Sequence, residues 1–180
     1  MKFTPTKIPE VILIEPDVFQ DARGFFFQSY RKDLFEQNGI SMNFVQDNHS
    51  RSSKGTLRGL HYQTAPHAQA KLVRVARGQA FDVVVDIRPR SKTFGYWVGN
   101  VLSAEKKNML FVPAGFAHGF MALEHNTEFI YKVSELYSPS HELGILWNDP
   151  AIGIVWPKID APLLLSEKDK KHPTLKEARI

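Results

Sequence analysis

Apolar and polar positions alternate with a period of two in short runs along most of the chain, which predicts strands with one face buried and one face different in character. The clearest run sets Phe81, Val83, Val85 and Ile87 on one face and Asp82, Val84, Asp86 and Arg88 on the other. Comparable runs cover residues 43–46, 56–63, 70–76, 79–87, 96–102, 108–112, 120–123 and 127–133. Turn chemistry separates them at Ser53-Lys54-Gly55, Arg77-Gly78, Arg88-Pro89-Arg90-Ser91 and Pro113-Ala114-Gly115. Upstream, residues 8–14 read as an opening strand, with Pro9 marking an edge position, and residues 25–30 as an aromatic strand after the turn Asp21-Ala22-Arg23-Gly24. Residues 31–38 read as a helix with Leu34 and Phe35 on its apolar side and Asn38-Gly39 as its stop. Residues 145–156 are apolar and are expected to cover a sheet. Ser166 is placed to cap a short helix in the charged tail. Many short strands at this spacing predict an all-β sandwich or barrel, and no linker divides the chain, so one domain over residues 1–180 is expected.

Composition narrows the class. The chain has 180 residues and no cysteine, which excludes a disulfide scaffold and thiolate chemistry and fits a cytoplasmic protein. No apolar run is long enough to span a bilayer, and residues 1–5 open no signal segment. The net charge is +4, but the basic residues are dispersed, several of them in the tail at Lys168, Lys170, Lys171 and Lys176. That distribution argues against nucleic acid and leaves a solvated surface or an anionic small molecule.

The densest chemistry lies in Leu57-Arg58-Gly59-Leu60-His61-Tyr62-Gln63, followed by Lys71. A guanidinium, an imidazole, a phenol, an amide and an ammonium stand close together there, as in the floor of a polar pocket with His61 as base. Strict alternation puts Arg58 and His61 on opposite faces, so both reach one pocket only if the strand kinks, and Gly59 is where a bulge costs least. Lys71 at a strand start is either solvated or a donor to a substrate oxygen. Tyr131 shares a face with Phe129 and Val133, as core or as a proton donor. Arg23 and Arg58 are either surface residues or ligands for phosphate. His49 stands with His61 and His118 beside strand or turn signals, whereas His67, His125, His141 and His172 lie in polar contexts that read as solvated. Pro113-x-Gly115-x-x-His118 resembles the second motif of cupins, whose metal-binding members ligate through that His. Here too few ligands accompany it, and Lys71 is the wrong charge beside a divalent cation, so no metal is expected.

Together these residues resemble the dTDP-4-dehydrorhamnose 3,5-epimerase family over nearly the whole length. The likeness rests on Asp21-Ala22-Arg23-Gly24-Phe25-Phe26, Phe44-Val45-Gln46-Asp47-Asn48-His49-Ser50, the 57–63 stretch, Lys71-Leu72-Val73-Arg74, Phe81-Asp82-Val83 with Val85-Asp86-Ile87-Arg88, the motif from Pro113 to Phe120, Tyr131-Lys132 and Leu146-Trp147-Asn148-Asp149. The resemblance implies a cupin-type jelly-roll β-sandwich, a homodimer, no cofactor and no metal. It implies an isomerase acting on a dTDP-sugar in dTDP-L-rhamnose synthesis for cell-surface polysaccharide. Dehydro-6-deoxyglucose would be inverted at C3 and C5. By the same resemblance His61 is the base, Asp169 its partner, Tyr131 the proton donor and Lys71 the residue that steadies the enolate. Arg23, Gln46, Asp47, Asn48, Arg58, His118, Glu142 and Lys168 match substrate-contacting positions, and Tyr137 matches the aromatic that stacks on thymine. Gln28 is a further substrate-binding candidate by the resemblance; members often carry Glu there, a swap that keeps an acceptor and loses a charge. A related 3-epimerase or 3,4-ketoisomerase is the nearest alternative, then a cupin that only binds its ligand, then a metal-dependent oxygenase.

Overall fold

Thirteen strands form two facing antiparallel sheets and one separate hairpin in the computed structural model, which describes residues 1–180. The strands are β1 (Lys2–Pro5), β2 (Ile12–Glu15), β3 (Phe19–Asp21), β4 (Gly24–Phe26), β5 (Gln46–Ser52), β6 (Leu57–Gln63), β7 (Lys71–Arg77), β8 (Gln79–Asp86), β9 (Trp97–Ser103), β10 (Met109–Val112), β11 (Phe116–Ala122), β12 (Thr127–Val133) and β13 (Glu142–Gly144). A six-stranded sheet runs β1-β2-β10-β7-β12-β5, and a five-stranded sheet runs β13-β6-β11-β8-β9. The hairpin β3–β4 belongs to neither. One helix, α1 (Lys32–Gln37), lies between β4 and β5, and a 3-10 turn spans Asp169–Lys171.

Three apolar layers hold the sandwich together. The middle layer interleaves Val73, Val75, Leu110 and Phe129 of one sheet with Val84, Leu102, Phe116 and Phe120 of the other. Phe120 and Phe129 stack in parallel across the gap at 4.0 Å between centroids. Burying aromatic rings of this size supplies a large apolar area, and truncating one costs about 3–5 kcal/mol. The outer face of the six-stranded sheet is closed by Phe35 and Ile40 over Leu72, Met109 and Phe111. The outer face of the five-stranded sheet is closed by Ile145, Ile152 and Leu175 over Leu60, Val83 and Val85. The cleanly alternating apolar stripe of β8 is therefore the outer face under the C-terminal segment, as a cover by residues 145–156 requires. The inner face carries Ala80, Asp82 and Val84.

Several boundaries differ from the pattern-based reading. The expected strand 8–14 is instead a β1–β2 connection followed by β2, because the Thr6 amide donates to the Val11 carbonyl and the Thr6 hydroxyl to Ile8, leaving Pro9 in the turn. The expected strand 43–46 ends where β5 begins. β5 has a polar inner face, Gln46, Asn48 and Ser50, and so shows no apolar period. Of the expected aromatic strand 25–30 only Phe25 and Phe26 are strand, in the arm β3–β4, where Phe19, Phe25 and Phe26 are each at least 60% exposed. β11 starts four residues earlier than its pattern and is buried throughout, as a central strand with both faces covered must be.

Candidate functional site

The middle apolar layer stops short of one end of the sandwich, and there the inward positions become polar. Two adjoining cavities of about 300 and 320 Å³ share His61, Lys71, Tyr131 and Glu142. His61 comes from β6 of the five-stranded sheet and Tyr131 from β12 of the six-stranded one, so they approach the space from opposite walls. Gln46 and Asn48 of β5, Lys71 of β7 and His118 of β11 extend the lining.

Arg58 and His61 share this site because β6 bulges. His118 pairs with His61 and Phe120 with Arg58, so three steps along β6 match two along β11. Gly59 carries the extra residue at φ +132°, a conformation that favours glycine. It also sits against the partner backbone, where a Cβ would fall 2.6 Å from the Gly119 Cα. The bulge turns residues of nominally opposite faces toward one cavity.

Two imidazole–carboxylate pairs mark the site. His61 Nε2 is 2.6 Å from Asp169 Oδ1, and Asp169 is held in turn by its own amide donating to Ser166 Oγ at 3.0 Å. Burial pushes the Asp169 carboxyl up, but the His61 bond and charge and the Ser166 contact outweigh it, so the group lies below the usual carboxylate range and is ionised at neutral pH. Two ligands on one tetrahedral zinc ion stand roughly 3.3 Å apart for bonds of ~2.0–2.1 Å. The 2.6 Å spacing is that of a direct hydrogen bond. The second pair is His118 Nε2 with Asp82 Oδ2 at 2.8 Å, both buried. Burial pushes the Asp82 carboxyl up against the opposing pull of His118 and Lys71.

Lys71 is buried, and its ammonium is 3.5 Å from the His61 carbonyl oxygen. Burial pushes its pKa down to about 8, although Asp82 and Glu142 favour the charged form. Tyr131 is pushed up by burial and by Glu142, with Arg58 opposing, so its phenol keeps its proton at neutral pH. Glu142 links the rim: it accepts from Tyr137 Oη at 3.0 Å and pairs with Lys168.

Of the residues that the resemblance singles out, the cavities gather His61, Tyr131, Asp169, Lys71, Gln46, Asn48, Arg58, His118, Tyr137, Glu142 and Lys168. Three expected residues are not brought in. Asp47 alternates outward from Gln46 and Asn48 and binds Lys132 Nζ at 2.9 Å. Arg23 is exposed on the β3–β4 arm, where it is paired with Asp21, and Gln28 just beyond the arm is exposed as well. His49 points outward, 3.3 Å from Glu128. Two residues of the site were not expected. Asp82 was visible only as an acid on the inner face between Ala80 and Val84. His172, read as solvated, has its side chain largely covered beside Asp169, and nothing in its polar local sequence signals that.

The model of the dTDP-4-dehydrorhamnose 3,5-epimerase family matches residues 5–177. The chain is 55% identical over 179 residues to the dTDP-4-dehydrorhamnose 3,5-epimerase of Pseudomonas aeruginosa, covering 99% of this chain and 98% of that one. Its structure superposes with a TM-score of 0.95 on the dTDP-6-deoxy-D-glucose-3,5-epimerase of Legionella pneumophila solved with dTDP-4-keto-L-rhamnose, at 45% identity over 99% of this chain and 94% of that one. A 3'-monoepimerase from Streptomyces bikiniensis, solved with dTDP as a double mutant in which a His and a Tyr are replaced, superposes with a TM-score of 0.90. Its identity is 34% over 96% of this chain and 86% of that one.

Proposed function

The chain belongs to the dTDP-4-dehydrorhamnose 3,5-epimerase family, and on that footing we propose which residues carry each step. The enzyme converts dTDP-4-dehydro-6-deoxy-D-glucose to dTDP-4-dehydro-L-rhamnose by inverting C3 and C5. Both carbons flank the C4 ketone, so each proton is acidic through an enolate. A base takes it from one face and an acid returns one to the other.

His61 is the base. Asp169 occupies one ring nitrogen, fixes the ring and stabilises the imidazolium, which leaves the second nitrogen for the substrate. Lys71 donates to the developing enolate oxygen as a buried ammonium. Tyr131, on the opposite wall and protonated, returns the proton. His118, oriented by Asp82, and the amides of Gln46 and Asn48 hold the substrate, Tyr137 at the rim stacks on thymine, and Arg58 and Lys168 meet the diphosphate. One domain carries all of this. A nucleotide-sugar substrate supports a cytoplasmic enzyme, and no helix is long and apolar enough to cross a membrane.

The observation that carries the reading is a carboxylate-held imidazole from one sheet and a tyrosine from the other lining one cavity together with a buried lysine. The test is incubation with substrate in deuterated water. His61→Ala should lose deuterium incorporation at C3 and C5 by about 10²–10⁴-fold, whereas Tyr131→Phe should still exchange yet fail to invert C5. Full exchange by His61→Ala would sink the base assignment. A His and a Tyr are also the residues replaced in the 3'-monoepimerase, so that pair alone does not distinguish one inversion from two. The higher identity to the 3,5-epimerases does.

The arm suggests a homodimer. Arg23 lies on an exposed aromatic hairpin outside both sheets, away from the cavity of its own chain. Docking against a second copy would bury Phe19, Phe25 and Phe26 and carry Arg23 and Gln28 to that copy's diphosphate site.

A further inference from the structure

We propose that His172 is a positioning residue of the reaction: it shares the Asp169 carboxylate oxygen with His61 and so limits how firmly that carboxylate keeps a proton on the base. The proposal rests on His61 being the base. His172 Nε2 is 3.4 Å from Asp169 Oδ1, the oxygen that His61 Nε2 approaches to 2.6 Å. The two rings meet edge to face, with centroids 5.6 Å apart and planes at 79°. The His172 side chain is 8% exposed, and its buried Nε2 has no aligned hydrogen-bond partner.

The local structure is built around this ring. Gly144 of β13 lies flat beneath it, and a Cβ there would fall 2.4 Å from His172 Nε2 and 2.5 Å from two ring carbons. The chain is pinned beyond it: the Leu146 amide donates to the Pro173 carbonyl at 2.8 Å, and the Leu175 amide to buried Asp149 Oδ2 at 2.6 Å. Charged or titratable groups around the ring are Asp169 and Lys168 from the tail and His61 from β6. Glu142 of β13, with Lys71 and Arg58, faces His61. Burial and the neighbouring His61 lower the proton affinity of His172, so it is neutral at neutral pH. A bare ring nitrogen facing the carboxylate would be repelled, so the site selects the tautomer with the proton on Nε2. That N–H presents its positive end to Oδ1 at 3.4 Å, out of line for a hydrogen bond, and offsets part of the carboxylate's pull on His61 without adding a charge, so the base is left freer to release its proton between turnovers.

The test is the pH profile of kcat/KM, which reports the free enzyme. In His172→Ala the carboxylate serves His61 alone, and the acid limb should move to higher pH by roughly half to one unit, about three- to tenfold in proton affinity. His172→Gln restores an N–H that does not titrate and should bring the limb back toward that of the unmodified enzyme. An unmoved limb in His172→Ala, or an equal movement in both variants, overturns the proposal. If the alanine variant does not fold, ring-nitrogen NMR of the unmodified protein decides: neutral His172 should carry its proton on Nε2, and a neutral His172 ring protonated on Nδ1 overturns the proposal. Retained deuterium exchange by His61→Ala would strike the base assignment instead, a result separable from an unmoved limb.

Discussion

Lys71 shows how one residue sets activity and stability in opposite directions. In the proposed role its ammonium steadies the enolate, and burial lowers its pKa to about 8. The kcat/KM of the enzyme should therefore fall as pH rises through about 8. Lys71→Arg should remove that limb, since a guanidinium keeps its charge at any pH used. Lys71→Met should lower the rate by about 10²–10³ at all pH values. Stability should run the other way. The unfolded value is 10.5, so between about pH 8 and 10.5 the unfolded chain binds more protons from this group, and its contribution to stability rises with pH. Urea unfolding across that window checks it. The place of Lys71 at the start of a strand was legible in the sequence, which left it open between a solvated residue and a pocket donor; its burial comes from the facing sheet and shows only in the structure. His172 was not legible, because its burial depends on Gly144, Asp149 and the tail backbone meeting around it, and no local pattern encodes that.

At the level of elements, the site hangs on the β6 bulge. Alternation alone put Arg58 and His61 on opposite faces and made Gly59 the least costly place for a bulge that would bring them together. Register against β11, which no single strand reveals, fixes how. Gly59→Ala should be costly, since it meets both a positive φ and the Gly119 backbone at 2.6 Å. A loss of about 3 kcal/mol is expected, together with a fall in kcat/KM as Arg58 and His61 separate. Gly39→Ala is the control. It also has positive φ, +82°, but nothing lies within 4 Å, so only the backbone term of ~1–2 kcal/mol applies. Equal midpoints for the two variants in urea would remove the close-approach argument. β5 and β13 were hard to see in the sequence for one reason: their inward residues serve a polar cavity instead of a core, so the apolar period that announces a strand is missing.

For the molecule as a whole, the all-β sandwich was legible from strand spacing and turns, while the assembly was not. The arm β3–β4 reads as one more aromatic strand until its placement outside both sheets is known. If it completes a second copy's site, Arg23→Ala and His61→Ala chains, each impaired alone, should recover about a quarter of normal activity when co-refolded. Half of the dimers are then mixed, and each of those holds one intact site. No recovery, or a monomer by sedimentation, would count against the shared site. The union of His61 with Asp169 carries a different consequence. These residues are 108 positions apart, and the carboxylate stands on a tail segment that follows every strand of the sandwich in the chain. Closing so long a loop comes late in folding. Catalytic competence should thus be the last property the chain acquires as it folds and the first it loses under mild stress. A population with every strand paired but the tail undocked would look native to circular dichroism and turn over nothing.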